Sequence, residues 1–283
     1  MKSNTGLILE GGGMRGVYTA GVLDFFIDMG LEFSSVYGVS AGSVNACSFL
    51  SKQRGRAFRA DVDFLEDREY ASVYNLITTG NFFGTEMCYK TIPNELLPYD
   101  YEEFEKCKGS FYAVVTNCET GQAEYLKLTD TKRQIDYIRA SASLPLMAEM
   151  VKINGKYYLD GGISDSIPIR KSICDGNTKN VVILTRDFSY RKKPNQVMPV
   201  IKMKYSKYPN LVKSMERRHI NYNNTLEYIE NKEKNGEIFV IRPSRPVKVG
   251  KLEKNKEKLT ELYKSGYRDG KKQYEKLMKY LEE

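Results

Sequence analysis

The 283-residue chain contains one histidine, His219, and no tryptophan. One histidine leaves a Ser-His-Asp triad a single choice of base, and His219 lies in a basic, polar, helix-like stretch with no strand end beside it. The five cysteines, Cys47, Cys88, Cys107, Cys118 and Cys174, are odd in number and show no CxxC spacing. They offer neither a disulfide framework nor zinc ligands and read as reduced thiols, so no metal site is expected. No apolar run approaches the roughly 18–20 residues of a membrane span. No basic segment with an apolar stretch and cleavage site precedes the first strand, so a secretory signal is not expected and a cytoplasmic location is. Zinc-finger spacing, an RNP signature and a KH-like GXXG loop are all missing, which leaves no nucleic-acid partner in view.

Hydrophobic residues make up 41% of the chain and aromatic residues 12%, enough for a substantial core. The net charge of +8 is unevenly placed. Residues 1–185 carry 19 Lys and Arg against 23 Asp and Glu, net −4, whereas residues 186–283 carry 25 against 13, net +12. A basic third of this kind suits anionic partners or a solvated helical surface.

The apolar pattern predicts strands at 6–10, 35–39, 111–116, 123–128, 181–185 and 238–241. It predicts helices at 14–29, 41–51 and 131–143. Asn154-Gly155 marks a hairpin between Val151-Lys152-Ile153 and Tyr157-Tyr158-Leu159. From Leu259 to Leu281, apolar residues recur at three- and four-residue spacing, as on one helix or on two broken near Gly270. The β–loop–α–β–turn–α opening predicts a mostly parallel sheet. With no repeat and no long linker, one domain over 1–283 is expected, with a basic helical part at about 186–283.

Three motifs carry chemistry. Gly38-Val39-Ser40-Ala41-Gly42 puts a serine between a strand and a helix, with small neighbours, as a strained nucleophile turn requires. The same residues also suit a plain serine N-cap. Gly11-Gly12-Gly13-Met14-Arg15-Gly16 also follows a strand. It satisfies GxGxxG, but a dinucleotide site wants a carboxylate at the end of the second strand, which here ends in Val39-Ser40. Backbone N–H groups of three glycines, with Arg15, instead suit one small anion such as an oxyanion. Asp160-Gly161-Gly162 follows the hairpin; with no histidine well placed, Asp160 within about 3 Å of Ser40 would have to act as its base.

In this order the three motifs resemble those of the patatin-like phospholipase family, with Ala140-Ser141-Ala142-Ser143-Leu144-Pro145 and Val114-Val115-Thr116-Asn117 as secondary matches. The resemblance covers about residues 5–50 and 110–170, and departs from the family in having Glu10 where many members have Asp. It implies a three-layer α/β/α fold and lipid acyl hydrolysis without metal or other cofactor. Ser40 would be the nucleophile, Asp160 the base, and Gly11, Gly12, Gly13 and Arg15 the oxyanion site. Leu144, Pro145 and Met147 are expected to line an acyl pocket and Phe82 and Phe83 to cover it. Residues 190–208 mix lysines with apolar side chains, a pattern that suits either contact with an anionic membrane or an ordinary surface helix. Alternatives are an esterase or thioesterase for small acyl groups, a nucleotide-binding oxidoreductase using the glycine loop, and a silent lipid-binding module.

Overall fold

Two short apolar runs near the N-terminus form the middle of the sheet. Gly6–Leu9 and Val36–Val39 are buried throughout, as strands covered on both faces are. They pair in parallel as β1 (Thr5–Leu9) and β2 (Ser35–Val39). The computed structural model describes residues 4–282. Met1–Ser3, expected to lead straight into the first strand, and Glu283 lie outside them.

The remaining strands are β3 (Ser110–Asn117), β4 (Ala123–Leu128), β5 (Val151–Ile153), β6 (Lys156–Asp160), β7 (Lys179–Ile183) and β8 (Phe239–Ile241). Their order is β5-β6-β3-β2-β1-β7-β8, with β4 also on β3. β2, β1, β7 and β8 run parallel with the first part of β3. The hairpin β5–β6 and strand β4 are antiparallel additions at the β3 end.

Ten helices accompany them among the described residues: α1 (Gly16–Asp28), α2 (Ala41–Leu50), α3 (Arg56–Val62), α4 (Val73–Thr79), α5 (Tyr101–Glu105), α6 (Ile135–Ser141), α7 (Ile169–Cys174), α8 (Met198–Lys204), α9 (Pro209–Lys234) and α10 (Lys256–Glu282). A wide π-type turn with Pro93 inside it spans Met87–Leu96. Alternation along the strands sorts these helices into two layers. Leu7, Leu9, Val36 and Ile183 pack with Val22 and Phe26 of α1, Phe49 of α2 and Leu277 of α10. Ile8, Tyr37 and Val182 pack with Ile169 of α7 and Tyr222, Leu226 and Ile229 of α9. The expected α/β/α sandwich is what forms.

The C-terminal amphipathic stretch is one helix, without a break at Gly270. Gly270 seats against the Phe25 ring, where a side chain would crowd it. The apolar face of α10 lies on α1. Tyr263 and Tyr267 donate to Asp24 and Asp28 at 2.6 and 2.8 Å, and Tyr18 donates back to Asp269 at 2.9 Å. The predicted helix at 131–143 is confined to α6, because Gln134 accepts from the N–H groups of Thr129 and Asp130 and holds that stretch as a turn.

Candidate active site

β2 ends at Ser40, which caps α2 with φ 55° and ψ −125°. Non-glycine residues avoid this backbone region unless the surroundings impose it. Here they do. The Ser40 N–H donates to Ser141 Oγ at 2.9 Å, and Ser141 Oγ donates to the Val114 carbonyl at 2.7 Å. The Ser40 carbonyl receives the Ser43 N–H at 2.9 Å and the Ser43 hydroxyl at 2.6 Å. The flanking glycines are needed for space: a Cβ at Gly38 would strike the Ser43 backbone, and one at Gly42 the Leu9 carbonyl. The N–H and carbonyl of Ser40 are thus both engaged, while its hydroxyl forms no hydrogen bond within the described residues.

Asp160 closes β6 and is 2% exposed. Its N–H donates to the Ser143 carbonyl at 2.9 Å, and its carbonyl accepts from Thr116 Oγ1 at 2.9 Å. Oδ1 accepts from the Gly162 N–H at 2.7 Å, while Oδ2 is buried with no partner. Ser141 and Ser143 therefore tie the end of α6 to both Ser40 and Asp160. Ser40 and Asp160 line one cavity, and no hydrogen bond joins their side chains in this structure.

The glycine loop lies against the serine. A Cβ at Gly11 would sit 2.8 Å from Ser40 Cβ, and Gly13 has φ +57°. The Met14 N–H donates to the Lys251 carbonyl at 3.1 Å, but no hydrogen bond within the described residues uses the N–H groups of Gly11, Gly12 or Gly13. Glu10 beneath the loop is fully engaged. It accepts from the Thr185 N–H and hydroxyl at 2.7 and 3.1 Å and from the Tyr222 hydroxyl at 2.6 Å.

Two cavities of contrasting character meet at Ser40, with Gly13 and Leu144 also in both walls. The larger, about 1000 Å³ counted out to its open mouth, is lined mainly by apolar groups such as Met14, Val44, Phe83, Ile92, Leu144 and Met147. The smaller, about 440 Å³ counted out to its mouth in the same way, is lined by Gly11, Gly12, Gly13, Arg15 and Asp160. Leu144 and Met147 line the larger cavity, and Phe83, expected to cover it, stands in its wall. Phe82 and Pro145 do not line either cavity. Phe82 is buried in the cluster behind the wall, its N–H on the Met147 carbonyl at 2.8 Å. Leu146 turns at φ +66° with its N–H on the Tyr205 hydroxyl, which carries Pro145 out of the wall. His219, with Nδ1 3.0 Å from the Glu216 carbonyl, lines neither cavity.

Several wall residues escape a reading of the sequence. Asp61 lines the apolar cleft, where burial pushes its carboxyl up to about 7. Arg186, Tyr190, Lys192, Arg218, Tyr222 and Lys251 reach the small cavity from the C-terminal third. The charge imbalance of that third was the only signal of them, and it does not say which cations turn inward.

A sandwich with an open apolar cleft beside a strained serine defines an α/β protein with a candidate nucleophile at the mouth of an apolar site. The chain belongs to the patatin-like phospholipase family, whose model matches residues 7–172. A second model, a domain of unknown function (DUF6363), matches residues 208–282. Uncharacterized protein YjjU of Escherichia coli (strain K12) is 29% identical over 266 residues, covering 92% of this chain and 74% of its own length. Probable lipid hydrolase 463L of Invertebrate iridescent virus 6 is 28% identical, over 62% of this chain and 65% of that protein. Lysophospholipase nte1 of Aspergillus niger is 28% identical over 59% of this chain, which spans only 11% of that protein.

Proposed function

We propose that the chain hydrolyses acyl esters of lipids, with Ser40 as nucleophile and Asp160 as base. The observation that carries this reading is Ser40 itself, strained and free at the hydroxyl, at the point where an apolar cleft meets a polar cavity. The acyl chain lies in the cleft, so the ester carbonyl reaches Ser40 Oγ. Oγ attacks the carbonyl carbon and its proton passes to Asp160, whose Oδ2 has no other partner. The unused N–H groups of Gly11, Gly12 and Gly13, with Arg15, receive the oxyanion. Asp160 then protonates the leaving alcohol, and water releases the acid from the acyl-serine by the same route. The relatives whose names read lipid hydrolase and lysophospholipase support a lipid ester over a small acyl group.

Fluorophosphonate labelling located by peptide mass spectrometry tests the dyad. Label is expected on Ser40 and strongly slowed in Asp160→Asn; label elsewhere, or none on folded protein, removes the assignment. A series of esters of rising chain length separates lipid hydrolysis from a small-acyl esterase or thioesterase.

We further propose peripheral contact with anionic membranes at the cleft side. No helix among the described residues is long and apolar enough to cross a membrane. On α4, just before the cleft residues Asn81 and Phe83, Ile77 is 79% exposed, and on α8 Met203 is 75% exposed. Within 190–208, however, Ile201 and Tyr205 are buried, and Arg191, Lys202 and Lys204 are paired with Glu230, Glu216 and Glu149.

A further inference from the structure

The small cavity beside Ser40 is built from five cations, Arg15, Arg186, Lys192, Arg218 and Lys251, and two carboxylates, Glu10 and Asp160. None of the five cations is in an ion pair within 4 Å among the described residues. The pairs nearby join other side chains, such as Arg191 to Glu230 and Arg242 to Glu233. Of the two carboxylates, Glu10 is engaged by Thr185 and Tyr222. With all seven ionised, the side chains lining the cavity carry a net +3.

The cations are held inward by neutral contacts. Arg218 donates Nε to the Gly162 carbonyl, and Arg186 donates to the Val247 carbonyl at 3.1 Å. Lys192 Nζ lies 4.2 Å from the centre of the Tyr222 ring. Arg15 is 6% exposed, yet its Nε has no partner, and the Nε of Arg186 is likewise buried and unpartnered. Clustering like charges beside unused donors is costly unless a ligand completes them. The cost is visible in the lysines: burial and the neighbouring Arg218 push Lys192 down to about 7 and Lys251 to about 8.

We infer that the wall of this cavity formed by Arg186, Lys192, Arg218 and Lys251 binds the phosphate of the acyl-ester substrate, leaving Arg15 to the oxyanion, and that the substrate class is an acyl ester whose headgroup is a phosphomonoester. The inference rests on the reading of Ser40 as nucleophile. Guanidinium forks and ammonium groups match phosphate oxygens, and a dianion offsets more of the +3 than a phosphodiester does. A quaternary ammonium headgroup would meet the same cations as a repulsion. Because the cavity shares Ser40 with the apolar cleft, phosphate and acyl chain straddle the scissile ester as they do in a short glycerol ester. Arg186, Lys192, Arg218 and Lys251 all lie beyond the residues matched by the patatin-like model, so this wall is the C-terminal third's contribution to the site.

The test compares kcat/KM for 1-lauroylglycerol, 1-lauroylglycerol 3-phosphate and 1-lauroylglycero-3-phosphocholine below their aggregation limits. The phosphomonoester is expected to lead the other two by about tenfold or more, and Lys192→Met/Lys251→Met to shrink that lead to about threefold or less. In parallel, calorimetric titration of Ser40→Ala with inorganic phosphate is expected to show saturable binding, weakened about tenfold or more by the same two substitutions. Lys192→Met alone, checked by circular dichroism, guards against loss of fold in the double variant. Hydrolysis of all three esters at equal efficiency overturns the inference and leaves the Ser40 reading standing. Phosphate binding with no hydrolysis of any ester overturns the Ser40 reading and leaves the anion site. Phosphate binding without headgroup preference shows a site for free phosphate and overturns the headgroup assignment.

Discussion

At the scale of single residues, the site depends on hydrogen bonds that hold the backbone of Ser40 and Asp160. Ser141 is the joint between β2, β3 and α6. Ser141→Ala leaves the Ser40 N–H buried without a partner, which costs about 1–3 kcal/mol of stability. It also loosens the nucleophile, and kcat should fall by about tenfold to a hundredfold with KM little changed. Thermal melts and steady-state kinetics on one ester check both effects; an unchanged kcat would show that the strained turn holds itself. Asp61 sets a pH dependence. Its carboxyl titrates at about 7 in the folded chain but near its usual 3.8 when unfolded. Between these values the unfolded chain releases the proton first, so this residue removes stability as pH rises from about 4 to about 7, and the loss is complete above that. Asp61→Asn should therefore raise the melting temperature at about pH 8 and leave it little changed near pH 4. Equal shifts at both pH values would show that the cleft does not desolvate this carboxyl.

At the scale of elements, the packing of α10 on α1 decides how the C-terminal third meets the sheet. The two helices cross at glycines: a Cβ at Gly266 would overlap the Tyr18 carbonyl, and one at Gly21 the Tyr263 carbonyl. Backbone cannot yield there without moving a helix. Gly266→Ala should cost about 1–3 kcal/mol, read as an earlier denaturant midpoint, and also break the tyrosine–aspartate bonds along the crossing. An unaltered midpoint would mean that α10 contributes little to the folded state. The cleft gives a second prediction at this scale. Ala60, from α3, faces the acyl space opposite α2 and the π-type turn. Ala60→Phe should lower kcat/KM for a lauroyl ester by about tenfold relative to a butyryl ester, because the lost volume blocks only the longer chain. Equal losses on both esters would place the acyl chain elsewhere.

At the scale of the whole molecule, charge and apolar exposure bear on the lipid surface. The net charge of +8 comes from the C-terminal third, and Ile77 on α4 and Met203 on α8 are exposed. Vesicle co-sedimentation should show stronger binding to anionic than to neutral vesicles, weakening as salt screens the charge. Equal binding to both kinds of vesicle would remove the electrostatic contribution and with it the proposed membrane contact.

Much of this protein follows from local sequence. Ser40, the glycine loop and Asp160 each sit at the end of an apolar run, and strand period plus glycine spacing places such ends without knowledge of the fold. The mostly parallel sheet follows from the same alternation, whereas the three-layer α/β/α arrangement is implied by the family resemblance. Other features follow only from long-range packing. That α10 stays whole at Gly270 depends on the Phe25 ring, which is remote in sequence. That Phe82 faces the core and Phe83 the cleft depends on the Met147 carbonyl. That Lys192 and Arg218 line the cavity beside Ser40 while Lys202 pairs with Glu216 depends on how α9 lies across the sheet. Sequence determines which elements form because propensity and periodicity are local. Which charges point inward is decided by tertiary structure, because a cation's direction is set by neighbours brought together from distant parts of the chain.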